Sequence, residues 1–376
     1  MKELQMVDLK SQYKKIQNQV NDAVFEVIES TAFINGPEVK RFQEELENYL
    51  EVKHVIPCAN GTDALQISMM GLGLKPGDEV ITTDFTFAAT VEVIALLQLT
   101  PVLVDVELDT MNISIEGIKN AITSKTKAIV PVHLFGRAVD MDPIMELAKK
   151  HHLYVIEDNA QGIGASYNSK DGKKKLGTIG DVGTTSFFPS KNLGCYGDGG
   201  AIFTNNDALA NKIRGIVNHG MYQRYHHDVV GVNSRLDSIQ AAILRIKLVN
   251  LDNYNKARQD AARYYSDAFE GHKNIVVPVT SKEVTSHVFH QYTLRIVGAD
   301  RNALMQYLQD QHIPCAIYYP IPLHKQKAYA DFRYKEEDFQ VTNQLINEVI
   351  SLPMHTELDK EQQDLIIGEI LNFLNS

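Results

Sequence analysis

Over residues 12–29 the apolar positions Ile16, Val20, Val24 and Val27 fall three or four residues apart, the spacing of one face of an α-helix. Core packing accounts for all four. The pattern then changes to short runs rich in β-branched and aliphatic residues: HVIPC, DEVITT, PVLVDV, KAIVPVHLF, LYVIED, TTSFF and GAIFT. Stretches with helical periodicity separate them, and strands alternating with helices predict an α/β architecture with a mostly parallel sheet. Residues 235–269, rich in Ala, Leu, Ile, Arg and Lys, predict one long helix that bridges two domains. Beyond it, QYTLRIV and PCAIYY predict strands around a helix at NALMQYLQDQH, and helical patterns return near the C-terminus. The expected organisation is an N-terminal segment and large domain over 1–250, followed by a smaller α+β domain over 251–376. There is no internal repeat and no low-complexity segment.

Composition narrows the functional classes. At 376 residues the chain exceeds one ordinary core, and 44% hydrophobic with 22% charged residues is the balance of a globular enzyme. A formal charge of −10 disfavours general nucleic-acid binding, so an anionic small ligand needs a local basic pocket. No run approaches a membrane span, and the N-terminal MKELQMVDLKSQYKK has no secretory pattern, so a cytoplasmic protein is expected. Cys58, Cys195 and Cys315 lack CxxC spacing, which points to buried thiols and to no metal site.

Three segments carry candidate chemistry. In CANGTDALQ a strand gives way to a helix near Thr62. The amides of Gly61, Thr62 and Asp63, with the Thr62 hydroxyl, suit a phosphate, although Asn-Gly-Thr is also an ordinary turn and helix cap. In VIEDNAQ, Asp158 follows a buried strand, where a carboxylate requires a partner. A helix cap would serve, and so would a pyridinium nitrogen, which an ionised Asp keeps protonated so that the ring becomes an electron sink. Gln161 lies three residues on, within reach of the same ligand. In TTSFFPSKNLGCYGDGGAI, Lys191 stands between a strand and a glycine-rich turn, with Ser186 five residues earlier. An isolated Lys is normally a solvated charge, but one held on a short loop and partly desolvated loses its proton readily and becomes a nucleophile.

With S-F-x-x-x-K-x-L-G and G-D-G-G in register, the chain resembles the DegT/StrS-type sugar aminotransferases, pyridoxal-phosphate enzymes of fold-type I. F-I-N-G-P-E-V, N-G-T-D-A-L, I-E-D-x-A-Q and Y-P-I-P-L-H match in the same order, so the resemblance spans nearly the whole chain. It implies pyridoxal 5'-phosphate held covalently at Lys191, Asp158 on the pyridine nitrogen, Ser186 and Thr62 at the phosphate, and Phe85 stacked on the ring. For Phe85 an aromatic at a strand end is equally a core residue. A homodimer with shared active sites is also implied, with Asn233 reaching the neighbour's phosphate.

Within the family, S-F-F-P-S-K-N-L-G-C-Y-G-D-G-G-A, R-Y-H-H and V-G-V-N-S-R-L-D resemble the WbpE-type enzymes. These move an amino group from L-glutamate, released as 2-oxoglutarate, to C3 of UDP-2-acetamido-2-deoxy-3-oxo-glucuronate for surface polysaccharide. Arg214, Arg224, Arg235, His226 and His227 form a basic stretch suited to pyrophosphate and a sugar carboxylate, with Arg235 the expected carboxylate ligand. Tyr319 and His324 are further substrate candidates. Tyr318, where those relatives carry His, and Asn159, where many members carry Ala or Cys, depart from the pattern. Amination of a dTDP- or UDP-linked keto-deoxysugar is the alternative, and a binding protein on the same fold is a third.

Overall fold

The computed structural model describes residues 3–279, 287–331 and 333–376. Helix α1 (Leu9–Ser30) begins where the Asp8 carboxylate accepts the Ser11 amide, and it buries Ile16, Val20 and Val27. Helix α2 (Pro37–Leu50) starts on a proline whose missing N–H costs nothing at that position. Strands and helices then alternate: β1 (His54–Cys58), α3 (Gly61–Leu72), β2 (Glu79–Thr83), α4 (Ala89–Leu96), β3 (Thr100–Val104), α5 (Ile115–Ala121), β4 (Thr126–Val130), α6 (Met141–His151) and β5 (Tyr154–Asp158). A hairpin, β6 (Ser166–Ser169) and β7 (Gly172–Lys175), precedes β8 (Val182–Ser186), β9 (Gly200–Thr204) and α7 (Asp207–Ile216).

Seven strands form one sheet in the order β1-β9-β8-β5-β4-β2-β3. Only β9 runs against its neighbours. The seven strands expected from the sequence are these seven. Their residues alternate between two cores, because parallel strands are covered on both faces. Val80, Ala128, Val130 and Ile156 pack with Leu65 and Met69 of α3 and Val93 of α4. Ile81, Ile129 and Val155 pack with Ile118 of α5 and Ile144 of α6.

A short ribbon, β10 (Met221–Gln223) with β11 (His226–His227), leads to α8 (Ser238–Leu248) and α9 (Leu251–Phe269). The single helix expected over 235–269 is therefore two. The break falls at Asn250, whose side chain donates to the Ile246 carbonyl at 3.1 Å and so competes with continued helix. Then come β12 (Ile275–Val276), β13 (Tyr292–Ile296), α10 (Arg301–Asp310), α11 (Gln340–Glu348), β14 (Val349–Leu352) and α12 (Lys360–Asn375). The last half of α9 packs Tyr265 and Phe269 against Tyr292, Leu304, Ile350 and Ile366, a core separate from the large sheet. PCAIYY does not form the expected strand: Ala316 makes one isolated bridge to Ser351, and the rest of the segment turns toward the large sheet.

Candidate active site

Strands β1, β2, β5 and β8 all end at one edge of the large sheet, which is where open α/β sheets bind ligands. A cavity of about 790 Å³ opens there. It is lined by Gly61, Thr62, Asp63, Asp158, Gln161, Ser186, Lys191 and Tyr319, among others, so the structure brings together these residues from segments far apart in the chain.

Helix α3 points its N-terminus into the cavity. Asn60 caps it by accepting the Asp63 amide at 2.8 Å, which leaves the amides of Gly61 and Thr62 without an acceptor among the described residues. The approach to β8 is so close that a Cβ on Gly61 would lie 2.7 Å from that of Ser186. Gly200, entering β9, is equally tight against the Asn60 backbone, at 2.4 Å. Two glycines thus press a helix N-terminus, two free amides and a serine hydroxyl into one small cradle, the donor set an anionic phosphate needs.

Across the floor, Asp158 is buried, accepting from the Thr90 hydroxyl at 2.8 Å and the Ala160 amide at 3.2 Å. Neither contact neutralises the carboxylate, so a cationic partner in the cavity is electrostatically favoured. Lys191 supplies one: burial pushes its amine down to about 8, and Asp158 acts in the opposite sense. Its loop is pinned on every side. The Lys191 amide donates to Phe188 O at 2.8 Å, and Asn192 donates to Asn255 at 2.7 Å and to Val288 O at 2.9 Å. From α8, the buried Lys247 amine donates to Gly194 O at 2.6 Å, and Gln240 accepts the Tyr196 amide at 2.8 Å.

Behind the cavity the alternation of β5 turns Glu157 away from Asp158 and into the protein. Three amides, those of Gly177, Ile179 and Gly180, reach its carboxylate at 2.6–2.9 Å, and His133 Nε2 lies at 3.0 Å. Because the Val139 amide donates to His133 Nδ1, the ring proton sits on Nε2 and is given to Glu157. Asn159 is also buried off the cavity, donating to Leu176 O at 3.0 Å. Gln161 accepts the Phe135 amide at 2.5 Å and donates to the Tyr319 hydroxyl at 3.2 Å, which fixes the orientation of its amide.

Two expected contacts need correction. Phe85 is fully buried, edge-on to Phe135 and Tyr319, and does not line the cavity; Phe87, two residues on and 58% exposed, does. The TTDFTF segment leaves the strand after Thr83, so the register that would aim Phe85 at a ligand is lost in the turn. His324 is committed elsewhere: its Nδ1 lies 2.6 Å from the buried Asp84 carboxylate and its ring stacks on Phe339 at 4.3 Å, away from the cavity. Asn233, Arg235 and His227 do not line the cavity of their own chain either. Asn233 and His227 are exposed, and Arg235 is half-buried with no side-chain hydrogen bond or ion pair among the described residues. All three precede α8.

One residue that no sequence motif marks is His290. Its imidazole lines the cavity, is buried, and has no hydrogen bond among the described residues. Burial and the nearby charges of Lys191 and Arg258 hold it well below its ordinary range, hence neutral. Arg258 backs it, donating to the carbonyls of Phe289, His290 and Met354 at 3.0–3.3 Å. In HVFHQY nothing distinguishes this His from a core residue.

Comparison with known proteins shows the family. Residues 14–371 match the model of the DegT/DnrJ/EryC1/StrS aminotransferase family. The chain is 45% identical over 98% of its length to the "Pleiotropic regulatory protein" of Geobacillus stearothermophilus, covering 98% of that protein. It is 44% identical, over 98% of its length and 100% of the relative's, to the UDP-2-acetamido-2-deoxy-3-oxo-D-glucuronate aminotransferase of Pseudomonas aeruginosa. Among solved structures, NtdA from Bacillus subtilis with bound cofactor PMP superposes with a TM-score of 0.92 at 30% identity, over 100% of this chain and 86% of that one.

Proposed function

Since the chain belongs to the DegT/DnrJ/EryC1/StrS aminotransferase family and is a pyridoxal-phosphate-dependent sugar-nucleotide aminotransferase, we propose that it aminates C3 of a UDP-linked N-acetyl-3-oxo-glucuronate with L-glutamate as donor. The observation that carries the site assignment is the meeting of Lys191, Asp158, Ser186 and the α3 N-terminus in one cavity. The sugar assignment rests on likeness to the Pseudomonas enzyme over 98% of the chain and on Arg235, which has no ion pair among the described residues.

When bound, the cofactor supplies an electron sink for the carbanion left at the reacting carbon. The residues present fit it. Gly61 and Thr62 amides and the Ser186 hydroxyl would hold the phosphate, Asp158 the pyridine nitrogen, and Gln161 an edge of the ring. Phe87, which lines the cavity, would stack on the ring in the place expected of Phe85. Lys191 would attach the cofactor and, once released by glutamate, hold and return the proton at the reacting carbon. An amine at about 8 is partly neutral near neutral pH, as that task requires. In a homodimer, Asn233, Arg235 and His227 would enter the neighbour's site, with Arg235 on the sugar carboxylate.

Supplying the purified protein with glutamate and a panel of UDP- and dTDP-linked ketosugars tests the substrate. Preferential turnover of the 3-oxo-glucuronate is expected, and an Arg235→Gln variant should lose that preference. Turnover of a deoxysugar without turnover of the uronate would reject the assignment.

A further inference from the structure

A His–Asp pair as buried as a catalytic dyad lies outside the cavity. Asp84, directly after β2, has no exposed surface and accepts both the His324 amide at 2.7 Å and the His324 ring at 2.6 Å. Its carbonyl also accepts the Leu323 amide, at 3.3 Å. The far nitrogen of His324 has no hydrogen bond among the described residues and lies 3.7 Å from the Glu336 carboxylate. Directly after the neighbouring β3, Asp105 repeats the arrangement: it accepts the amides of Val341 at 2.8 Å and Thr342 at 2.9 Å, and the Thr342 hydroxyl at 2.7 Å. Two carboxylates at adjacent strand ends therefore dock the C-terminal part of the chain onto the sheet edge that carries the cavity.

What this joint holds is a wall of the cavity. Ile317, Tyr318, Tyr319 and Pro320 line it a few residues before His324, and Phe87 lines it three residues after Asp84. The Phe87 and Tyr319 rings are 6.2 Å apart. The two sides are not equally firm: the Asp84 amide is bonded to Val104 O at 3.0 Å, so Asp84 stays with the sheet. If the joint fails, the stretch that moves is 317–324.

We propose that His324, acting through Asp84, is a positioning residue that sets where Tyr318 and Tyr319 stand and thereby how the nucleotide sugar fits. Of the residues suited to the cofactor, Phe87 and Gln161 meet Tyr319, whereas Lys191, Asp158, Ser186, Gly61 and Thr62 stand on elements of the large sheet and not on 317–324. The sugar part of the inference rests on the function proposed above; the positioning part does not.

The test pairs His324→Leu, which removes the donor and leaves Asp84 buried without it, with His324→Asn, whose amide donates to Asp84 in place of Nδ1. Hydrogen–deuterium exchange is measured together with steady-state kinetics using UDP-2-acetamido-2-deoxy-3-oxo-glucuronate. His324→Leu is expected to speed exchange in 317–325 while 186–198 stays as in the wild type. It should raise KM for the sugar about tenfold, the loss of one hydrogen bond to a charged group, with KM for glutamate and the visible cofactor band unchanged. His324→Asn should restore both readouts. Should His324→Leu fail to fold, Asp84→Asn, which keeps size and one acceptor, is expected to shift the same readouts by about threefold. Exchange in 317–325 that stays at the wild-type rate overturns the positioning role, and so does His324→Asn as impaired as His324→Leu. Altered exchange with equal changes in KM for sugar and glutamate overturns the selective effect on the sugar. If the wild-type protein does not accept this sugar, the functional reading fails while the exchange result still decides the joint.

Discussion

Lys191 differs from a solvated lysine in that its surroundings make its amine easier to deprotonate. Burial lowers it to about 8 and the Asp158 carboxylate limits the fall. Only the neutral amine attacks a carbonyl, so capture of added pyridoxal phosphate by cofactor-free protein should accelerate as pH rises and level off above about 8. The rate of appearance of the visible band across pH 6–10 measures this. A rate still climbing toward the ordinary lysine value near 10.5 would contradict the burial argument. At the same scale, the two phenylalanines of TTDFTF should separate. Phe85→Ala opens a core cavity and is expected to cost about 3–5 kcal/mol by denaturant melting, with little direct effect on the ligand. Phe87→Ala should leave stability nearly unchanged and weaken cofactor binding by up to about tenfold, as loss of one stacked aromatic does. Sequence alone could not tell them apart. Both are Phe, spaced two residues apart, and the turn after Thr83 decides which reaches the cavity. His290 was illegible for the same reason: its missing partner is a fact of packing, not of composition.

At the scale of elements, the cradle depends on α3 meeting the ends of β8 and β9 with no side chain between them. Gly61→Ala places a methyl group 2.7 Å from the Ser186 Cβ, against a strand end that cannot give way cheaply. We expect cofactor affinity to fall at least tenfold and stability by about 1–3 kcal/mol, read by cofactor titration and thermal melting. Unchanged affinity would show that the α3 amides do not hold the phosphate. Much at this scale was readable in advance: the seven strands stand out as aliphatic runs because both sheet faces are buried, and their C-terminal ends placed Asp158 and Ser186 correctly at one edge. The break between α8 and α9 was not readable, because one Asn in a strongly helical stretch decides it through a local hydrogen bond. Nor was the loss of a strand at PCAIYY, where docking on Asp84 overrides a favourable β pattern.

For the whole molecule, the arrangement divides the proposed site residues into two sets. Lys191, Asp158, Ser186, Gly61, Thr62 and Gln161 line one chain's cavity, while Asn233, Arg235 and His227 stand outside it. If a second copy supplies the latter set, mixing inactive Lys191→Ala and Asn233→Ala proteins should restore about a quarter of the wild-type activity, because half the random dimers are mixed and each holds one intact site. No recovery on mixing, with subunit exchange demonstrated, would rule out a contribution of Asn233 to the neighbour's site. Whether this cavity makes the chain an aminotransferase is decided by the absorbance spectrum of the purified holoprotein before and after L-glutamate is added. The visible band of the bound cofactor should disappear with release of one 2-oxoglutarate per site, and a Lys191→Ala protein should show neither change. A cofactor band that persists in glutamate, with no 2-oxoglutarate formed, would contradict it and leave a protein of this fold that binds without transferring.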